Sequence, residues 1–492
     1  MNQAIQAPSA TSTTGPSSAG NPEAAATLET FLERQKQACL TGPIPDYQQR
    51  RQDLQTLKRM LSENRDEIIQ AISEDYGNRS RHESLFAELI TVADGINDVL
   101  KHLKRWMKPQ RRRVDTMLYP GAKNRVIPQP LGVVGIIVPW NFPVNLSFVP
   151  LTYAFAAGNR AMVKMSENSI SLSRLLREIS PRYFPVEKLA WFEETGNVGV
   201  EFSKLPFDLI LFTGSGQTGR AVMAAAARNL TPVVLELGGK CPAIIDPEYP
   251  LAKAVERIMF VKQFNAGQIC TNVDYVFVHE SSTAQFVEQA GAYARKHCPD
   301  IRSDDYTSII DDRSFHRLQE TLADARSKGA TVVNLCGDQE PDPTARKFPL
   351  CLVLDTSEDM TIRKRETFGP ILMVLTYREP QEVINHVNSG DRPLAIYPFT
   401  ESRELQDLYI DRIMSGGVTV NDALFHVGQH DLPFGGVGAS GMGHYHAYEG
   451  FTTFSKLRPV FYQAKFSAMK FLAPPYGRLA SSVMNALAKL KG

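Results

Sequence analysis

A chain of 492 residues is too long for one ordinary hydrophobic core, so two or three domains are expected. Hydrophobic residues make up 43% and charged residues 22%, the balance of a folded soluble protein, and a formal net charge of +1 excludes a global pull toward nucleic acid, membrane or acidic partners. The six cysteines (Cys39, Cys241, Cys270, Cys298, Cys336, Cys351) show no paired spacing, which fits a reducing compartment rather than a disulfide scaffold. No CxxC pair and no HExxH occur, so a structural zinc or zincin site is not expected.

Residues 1–27 are rich in Ala, Ser, Thr, Gly and Pro and read as a disordered extension. They lack the features of a secretion signal, and carry Glu23 without any Arg, unlike a mitochondrial transit peptide. No run approaches the ~20 apolar residues that span a bilayer, so the expected location is the cytoplasm. From Asp46 to Met107 the spacing is helical: Leu54, Leu57, Met60, Leu61, Ile68 and Ile72, then Leu85, Leu89, Val92, Ile96 and Leu100. The basic stretch Lys101–Arg113 reads as a solvated helix end, not a nucleic-acid segment.

After Pro120 short apolar strands alternate with helical stretches: LGVVGIIV (131–138), AMVK (161–164), DLILF (208–212) and PVVLE (232–236). A second alternating block holds a helical run near Ala252–Phe264 and the strands DYVFV (274–278), LCLVL (350–354), ILMVL (371–375) and VTV (418–420). Polar helices fall near Arg313–Lys328 and Glu401–Arg412. This alternation predicts an α/β protein with two parallel-sheet domains and a ligand cleft between them. From Phe451 to Gly492 there are Lys and Arg but no Asp or Glu. Leu479, Val483, Leu487 and Leu490 there could form one helical face.

Four stretches carry chemistry. In FTGSGQTG (212–219), Gly214, Gly216 and Gly219 fit G-x-G-x-x-G after a strand and before a helix, with Ser215 as a small hydroxyl beside a phosphate. That fingerprint places a ribose-binding acid about 20 residues on, which would be Glu236. ELGGK (236–240) and FNAGQIC (264–270) set a carboxylate one βα unit from Cys270, as a base acting through water on a thiol nucleophile requires. PWNFP (139–143) puts Trp140 and Asn141 at a strand's C-terminal edge, where an amide can donate to a developing oxyanion. Taken singly, each stretch is equally served by an inert thiol, a capping Asn or a glycine turn.

In order, PWNFP, KMSE (164–167), FTGS, ELGGK, NAGQIC, ETFGP (366–370) and LPFGGVGASGMG (432–443) resemble the aldehyde dehydrogenase superfamily over about residues 28–460. The 34-residue interval from Glu236 to Cys270 also matches. The resemblance implies NAD or NADP as cofactor, an aldehyde as substrate and a Rossmann-like cofactor domain beside a catalytic domain. It makes Cys270 the nucleophile, through a thiohemiacetal and a thioester, with Asn141 and the Cys270 N–H as the oxyanion hole. Glu236 becomes the base for hydrolysis rather than the ribose ligand. The cofactor residues it implies are Trp140, Lys164 and Glu167 (adenine ribose), Gly214, Ser215 and Gly219 (pyrophosphate), Leu237, and Glu366 with Phe368 (nicotinamide ribose).

RETFGPIL and the stretch from Leu432 to Lys456 resemble the class 3 branch, whose members generally dimerise, and within it bacterial coniferyl aldehyde dehydrogenases. Medium- or long-chain aldehydes, or a non-catalytic NAD-binding protein, are the competing readings. An ordinary Rossmann reductase accounts for GSGQTG alone. Where the family often has Thr before the nucleophile, this chain has Ile269, which would make the substrate path apolar and favour an aromatic or apolar aldehyde. The expected division is 28–109 with 131–240 for the cofactor, 241–426 for catalysis, 110–130 with 427–465 for bridging and dimerisation, and 466–492 as a basic tail. The tail is expected to dock on the dimer or to lie on an anionic membrane. His444 and His446 lack metal partners at ligand spacing, so no metal is expected.

Overall fold

The computed structural model describes residues 22–465, 467 and 473–491. Most of the stretch read as an extension lies outside these residues, but its end does not. Pro22–Thr41 is helical, and Leu28 and Leu32 are buried against Val133, Ile137 and Met162. The spacing of Leu28, Phe31 and Leu32 is that of a helix face, hidden in the sequence by the polar, small-residue composition just ahead of it. Gln35 fastens the same helix by donating to the carbonyls of Ala161 at 3.0 Å and Val186 at 2.9 Å.

Among the described residues the strands are β1 (Gln110–Arg112), β2 (Lys123–Pro130), β3 (Val133–Ile137), β4 (Arg160–Lys164), β5 (Leu189–Phe192), β6 (Leu209–Gly214), β7 (Val233–Leu237), β8 (Cys241–Ile245), β9 (Val273–His279), β10 (Thr331–Asn334), β11 (Cys351–Leu354), β12 (Ile371–Tyr377), β13 (Ala395–Phe399), β14 (Gly417–Val418), β15 (Gly441–Met442) and β16 (Ser455–Tyr462). They form three sheets. One has the order β15-β7-β6-β3-β4-β5, parallel except for β15. The second has the order β10-β11-β12-β9-β8-β13-β14, parallel except for β10. The third, β1-β2-β16, is wholly antiparallel and carries the ends of the segments expected to bridge. The β15 pairing is a difference: part of 427–465 completes the first sheet, with Gly441 opposite Glu236.

The parallel strands are apolar on both faces because helices cover both sides, so they read as continuous hydrophobic runs. One buried cluster reaches from Leu54 and Ile72 through β3 and β4 to β8, β9 and β13. The chain passes from the first sheet to the second across Gly238–Lys240, between β7 and β8. That crossing places the C-terminal end of β7 beside the segment that feeds β9, and the site lies there. No helix among the described residues is long and apolar enough to cross a membrane.

Candidate active site

Cys270 sits in a tight turn between the helix Leu251–Gln263 and β9. Three consecutive residues ahead of it are left-handed: Asn265 at φ 52°, Ala266 at 48° and Gly267 at 72°. Each non-glycine residue in that region costs about 1–3 kcal/mol, so the turn persists only because its surroundings over-determine it. Buried amides do this. Asn265 Nδ2 donates to the carbonyls of Asn141 (3.2 Å) and Gln268 (3.1 Å). Gln268 Nε2 donates to the carbonyls of Asn265 (3.0 Å) and Ser308 (3.1 Å), while its Oε1 accepts from the Ile310 N–H at 3.0 Å. At Gly267 a Cβ would stand 2.3 Å from the Gly369 carbonyl oxygen, so only glycine allows that approach.

Asn141 follows β3 and is brought to the same turn. Its Nδ2 donates to the Gln268 carbonyl at 3.3 Å, and Tyr76 Oη donates to its own carbonyl at 3.1 Å. An amide nitrogen carries two hydrogens, so one remains for a substrate oxygen. Cys270 itself is half-buried. Burial, then the negative charges of Glu366 and Glu236, push its thiol up to about 12, while the N–H groups of Thr271 and Cys270 act the other way. The thiol is therefore protonated in this closed arrangement, and it is held where neighbouring N–H groups favour the thiolate.

Glu236, near the end of β7, is 3% exposed, and neither carboxylate oxygen has a hydrogen-bond partner. Burial alone lifts its pKa well above the ordinary carboxylate range. Tyr445, buried, feels the charges of both Glu236 and Cys270, which places base, thiol and phenol in one electrostatic neighbourhood. An unpartnered carboxylate in an apolar pocket costs stability and has no structural use here, which is the pattern of a functional base. The strand partner Gly441 comes so close that a Cβ there would lie 2.2 Å from the Leu235 carbonyl oxygen.

On the other side of the cleft β6 ends at Gly214 and a helix begins at Gly216. Ser215 caps it, its Oγ accepting from the Thr218 N–H at 3.2 Å. A Cβ at Gly219 would meet Leu237 Cδ2 at 2.7 Å, and one at Gly214 would meet the Phe212 ring at 2.6 Å. The helix start is thus drawn tightly onto β6 and β7; the Thr218 and Gly219 N–H groups are taken up by Ser215, which leaves the Gly216 and Gln217 N–H groups to meet an anion. Lys164 ends β4 as expected, but its ion-pair partner is Glu194, a residue the sequence reading missed. Glu167 is exposed and accepts from Ser166 Oγ at 3.2 Å instead. The missed signal was positional: Glu193 and Glu194 follow β5, next to β4 in the sheet.

Phe368, at φ 45°, packs edge-on against Trp140 with centroids 5.5 Å apart, and Trp140 in turn against Tyr76 at 6.0 Å. Glu366 lies over Gly238, where a Cβ would be 2.3 Å from its Oε2. Burial and Asp274 push Glu366 up to about 8, opposed by Lys240, Arg317 and Lys262. Ile269 is only 3% exposed, so it offers little surface to a substrate. The aromatic surface lies elsewhere. Phe142 stacks with Phe264 (6.4 Å, 15°), Phe264 meets Phe86 (6.4 Å) and Phe260 (5.8 Å), and Phe260 stacks with Phe425 (6.3 Å, 20°). His446 is half-buried, stacked on Tyr153 and tilted against Phe434.

Comparison with known proteins agrees with this geometry. The Aldehyde dehydrogenase family pattern matches residues 33–460. The probable coniferyl aldehyde dehydrogenase of Pseudomonas aeruginosa is 46% identical over 452 residues, 92% of this chain and 94% of its own. The coniferyl aldehyde dehydrogenase of Pseudomonas sp. strain HR199 is 41% identical over 472 residues, 95% and 98% of the two chains. Among solved structures, the substrate-bound state of Staphylococcus aureus AldH superposes with a TM-score of 0.88 at 32% identity, covering 94% of this chain and 99% of that one. With family pattern, relatives and fold in agreement over nearly the whole length, the chain belongs to the aldehyde dehydrogenase family and is an oxidoreductase of that kind.

Proposed function

We propose that this enzyme oxidises an aromatic aldehyde such as coniferyl aldehyde to its acid, with NAD or NADP as cofactor, through a thioester on Cys270. The observation that carries the substrate class is the run of phenylalanines. Phe86, Phe260 and Phe425 are 47%, 40% and 37% exposed, and Phe264 joins them to Phe142, the residue after Asn141. Offset and edge-on ring contacts stabilise a planar aromatic guest by roughly 0.5–1.5 kcal/mol each beyond area burial. The relatives named for coniferyl aldehyde point the same way.

The cofactor residues fit a dinucleotide. Gly214, Ser215 and Gly219 form a cradle that side chains would fill, at a helix start where the Gly216 and Gln217 N–H groups lie ahead of the Ser215 cap. Lys164 ends a parallel strand and Glu167 follows it, the edge at which a ribose would be held, and Trp140 with Phe368, Leu237 and Glu366 would meet the rest of the cofactor. A nicotinamide bound there would supply the hydride acceptor. The chain's own residues do the rest. Cys270 Sγ, its proton passing to solvent, attacks the aldehyde carbon, and the Asn141 amide with the Cys270 N–H takes the charge on the oxygen. When hydride leaves, the C–S bond remains as a thioester. Glu236 then removes a proton from water, whose oxygen attacks the thioester carbon and releases the acid and the thiol. Burial raises the proton affinity of Glu236, the property a base acting on one water molecule uses.

The division of roles we propose is residues 28–109 and 131–240 for the cofactor, 241–426 for catalysis, and 110–130 with 427–465 for bridging and homodimer formation, with β15 lent to the first sheet. β16 is an edge strand with Leu457, Phe461 and Tyr462 exposed, a surface a second copy would cover. The tail helix Arg478–Lys491 exposes Leu479, Val483, Met484 and Leu490 beside Lys489, and Lys491 pairs with Asp115. Membrane contact by this helix predicts co-flotation with anionic liposomes, lost when the chain stops after Tyr462. The function is tested by NAD(P)H formation with coniferaldehyde, benzaldehyde and hexanal. Highest kcat/KM for an aromatic aldehyde and no turnover by Cys270→Ala are expected. A preference for hexanal overturns the substrate class, and turnover by Cys270→Ala overturns the mechanism.

A further inference from the structure

Behind the 366–368 turn lies a group of charges that neither nucleophile nor base uses. Asp274, in β9, is buried and accepts hydrogen bonds from the Thr367 N–H and Thr367 Oγ1, both at 2.8 Å. Its other oxygen pairs with Lys240 Nζ. The same ammonium donates to the carbonyls of Ile362 at 2.9 Å and Arg365 at 3.2 Å. Arg317, from the helix Asp312–Ser327, donates to the carbonyls of Thr367 at 2.6 Å and Phe368 at 3.3 Å. Glu366 therefore stands between two residues tied to one lysine–aspartate pair.

A second lysine completes the group. Lys262, in the helix Leu251–Gln263, is 0% exposed, and its Nζ has no hydrogen-bond partner. It interacts electrostatically with Asp274, Lys240, Glu366 and Cys241. A buried ammonium without hydrogen bonds is strongly disfavoured unless a counter-charge faces it. Asp274 exerts the larger attraction on it and is shared with Lys240 and Thr367, and Glu366 is the second carboxylate that draws it.

The geometry points to Lys262 and Asp274 as positioning residues for Glu366: Asp274 anchors the peptide that follows it, and Lys262 is the buried counter-charge that favours its ionised form over Gly238. The inference rests on Glu366 working at the cofactor side, as proposed above. Burial and Asp274 push Glu366 up to about 8, and burial pulls Lys262 down to about 8, so Lys262 carries the charge that draws Glu366 toward ionisation up to that range and loses it above. The groups that face Glu366 are Asp274 from β9, Lys240 from the sheet crossing, Lys262 and Arg317 from their helices, and the thiols of Cys241 and Cys270.

The test uses the full-length enzyme without cofactor. Alkylation of Cys270 by iodoacetamide is followed across the range from about pH 6 to about pH 10 in wild type, Glu366→Gln, Lys262→Met and the double variant. The inflection that Glu366→Gln removes is the ionisation of Glu366. Lys262→Met is expected to move that inflection to higher pH by on the order of one unit, because a carboxylate stripped of a cationic neighbour keeps its proton longer. Asp274→Asn is expected to move it to lower pH, and carries the test alone should Lys262→Met not fold. In the Glu366→Gln background neither change shifts the profile. A wild-type profile in both single variants, or a shift that survives in that background, overturns the proposal; a merely structural Lys262 lowers Tm and leaves the inflection in place. Failure of the cofactor reading registers separately, as an NAD(P)+ Kd that Glu366→Gln leaves unchanged.

Discussion

Residues 212–219 and residues 264–270 both carry the chain between regular elements at the end of a strand or its approach, but they are made differently. The first turn is relaxed: Ser215 has an extended conformation and a capping hydrogen bond, and its glycines serve close packing onto Phe212 and Leu237. The second holds three successive left-handed residues against buried amides. A phosphate site needs N–H groups and room, which a helix start supplies at little cost. A nucleophile needs one atom in one place, and there strain held by Asn265 and Gln268 fixes the backbone.

This contrast can be broken most severely at Gly267. Gly267→Ala places a methyl group against the Gly369 carbonyl and forces a left-handed alanine. The conformation alone costs about 1–3 kcal/mol, with the clash added. A large loss of Tm together with loss of Cys270 alkylation is expected; a variant with wild-type Tm shows the turn to be softer than argued. Gly219→Ala meets only the end of the Leu237 side chain, which can shift. It is expected to lower Tm modestly, by about 1 kcal/mol of stability, and to raise the NAD(P)+ KM more than it lowers kcat.

Glu366→Gln acts on the thiol side by charge. Glu366 is ionised above about pH 8 and then holds the Cys270 thiol up, so removing it lowers that pKa. Faster alkylation, up to about tenfold, is expected between pH 8 and 12, shrinking below pH 8 where Glu366 is already neutral. Equal rates above pH 8 contradict the assigned proximity. The smallest effect belongs to Ser215→Ala, which removes one exposed cap and costs about 0.5 kcal/mol, read as a small fall in denaturation midpoint.

Much of this was legible beforehand. The strands ending at Lys164, Gly214 and Leu237 lie within a residue or two of their predicted limits, because buried parallel strands are unbroken apolar runs. β8 and β13 were missed, and each contains a proline, Pro242 and Pro398, which argues against a central strand. The structure accommodates Pro242 with a register shift beside Cys241. The ion pair of Lys164 with Glu194, the buried Lys262 and the phenylalanine run unite residues distant in sequence, and no local pattern announces such pairings.

The crossing at Gly238–Lys240 has a consequence for inheritance. Glu236 stands before it, on the sheet that holds the dinucleotide cradle, and Cys270 stands after it, with the second sheet. A recombination joint placed there would transmit the water-activating group with the cofactor half and the nucleophile with the other. Chimeras between relatives cut at this point should therefore take their deacylation rate from the amino-terminal parent and their thiol reactivity from the carboxy-terminal one. On the roles proposed above, the fate of the acyl group and its capture would be separable heritable traits, joined by three residues of chain.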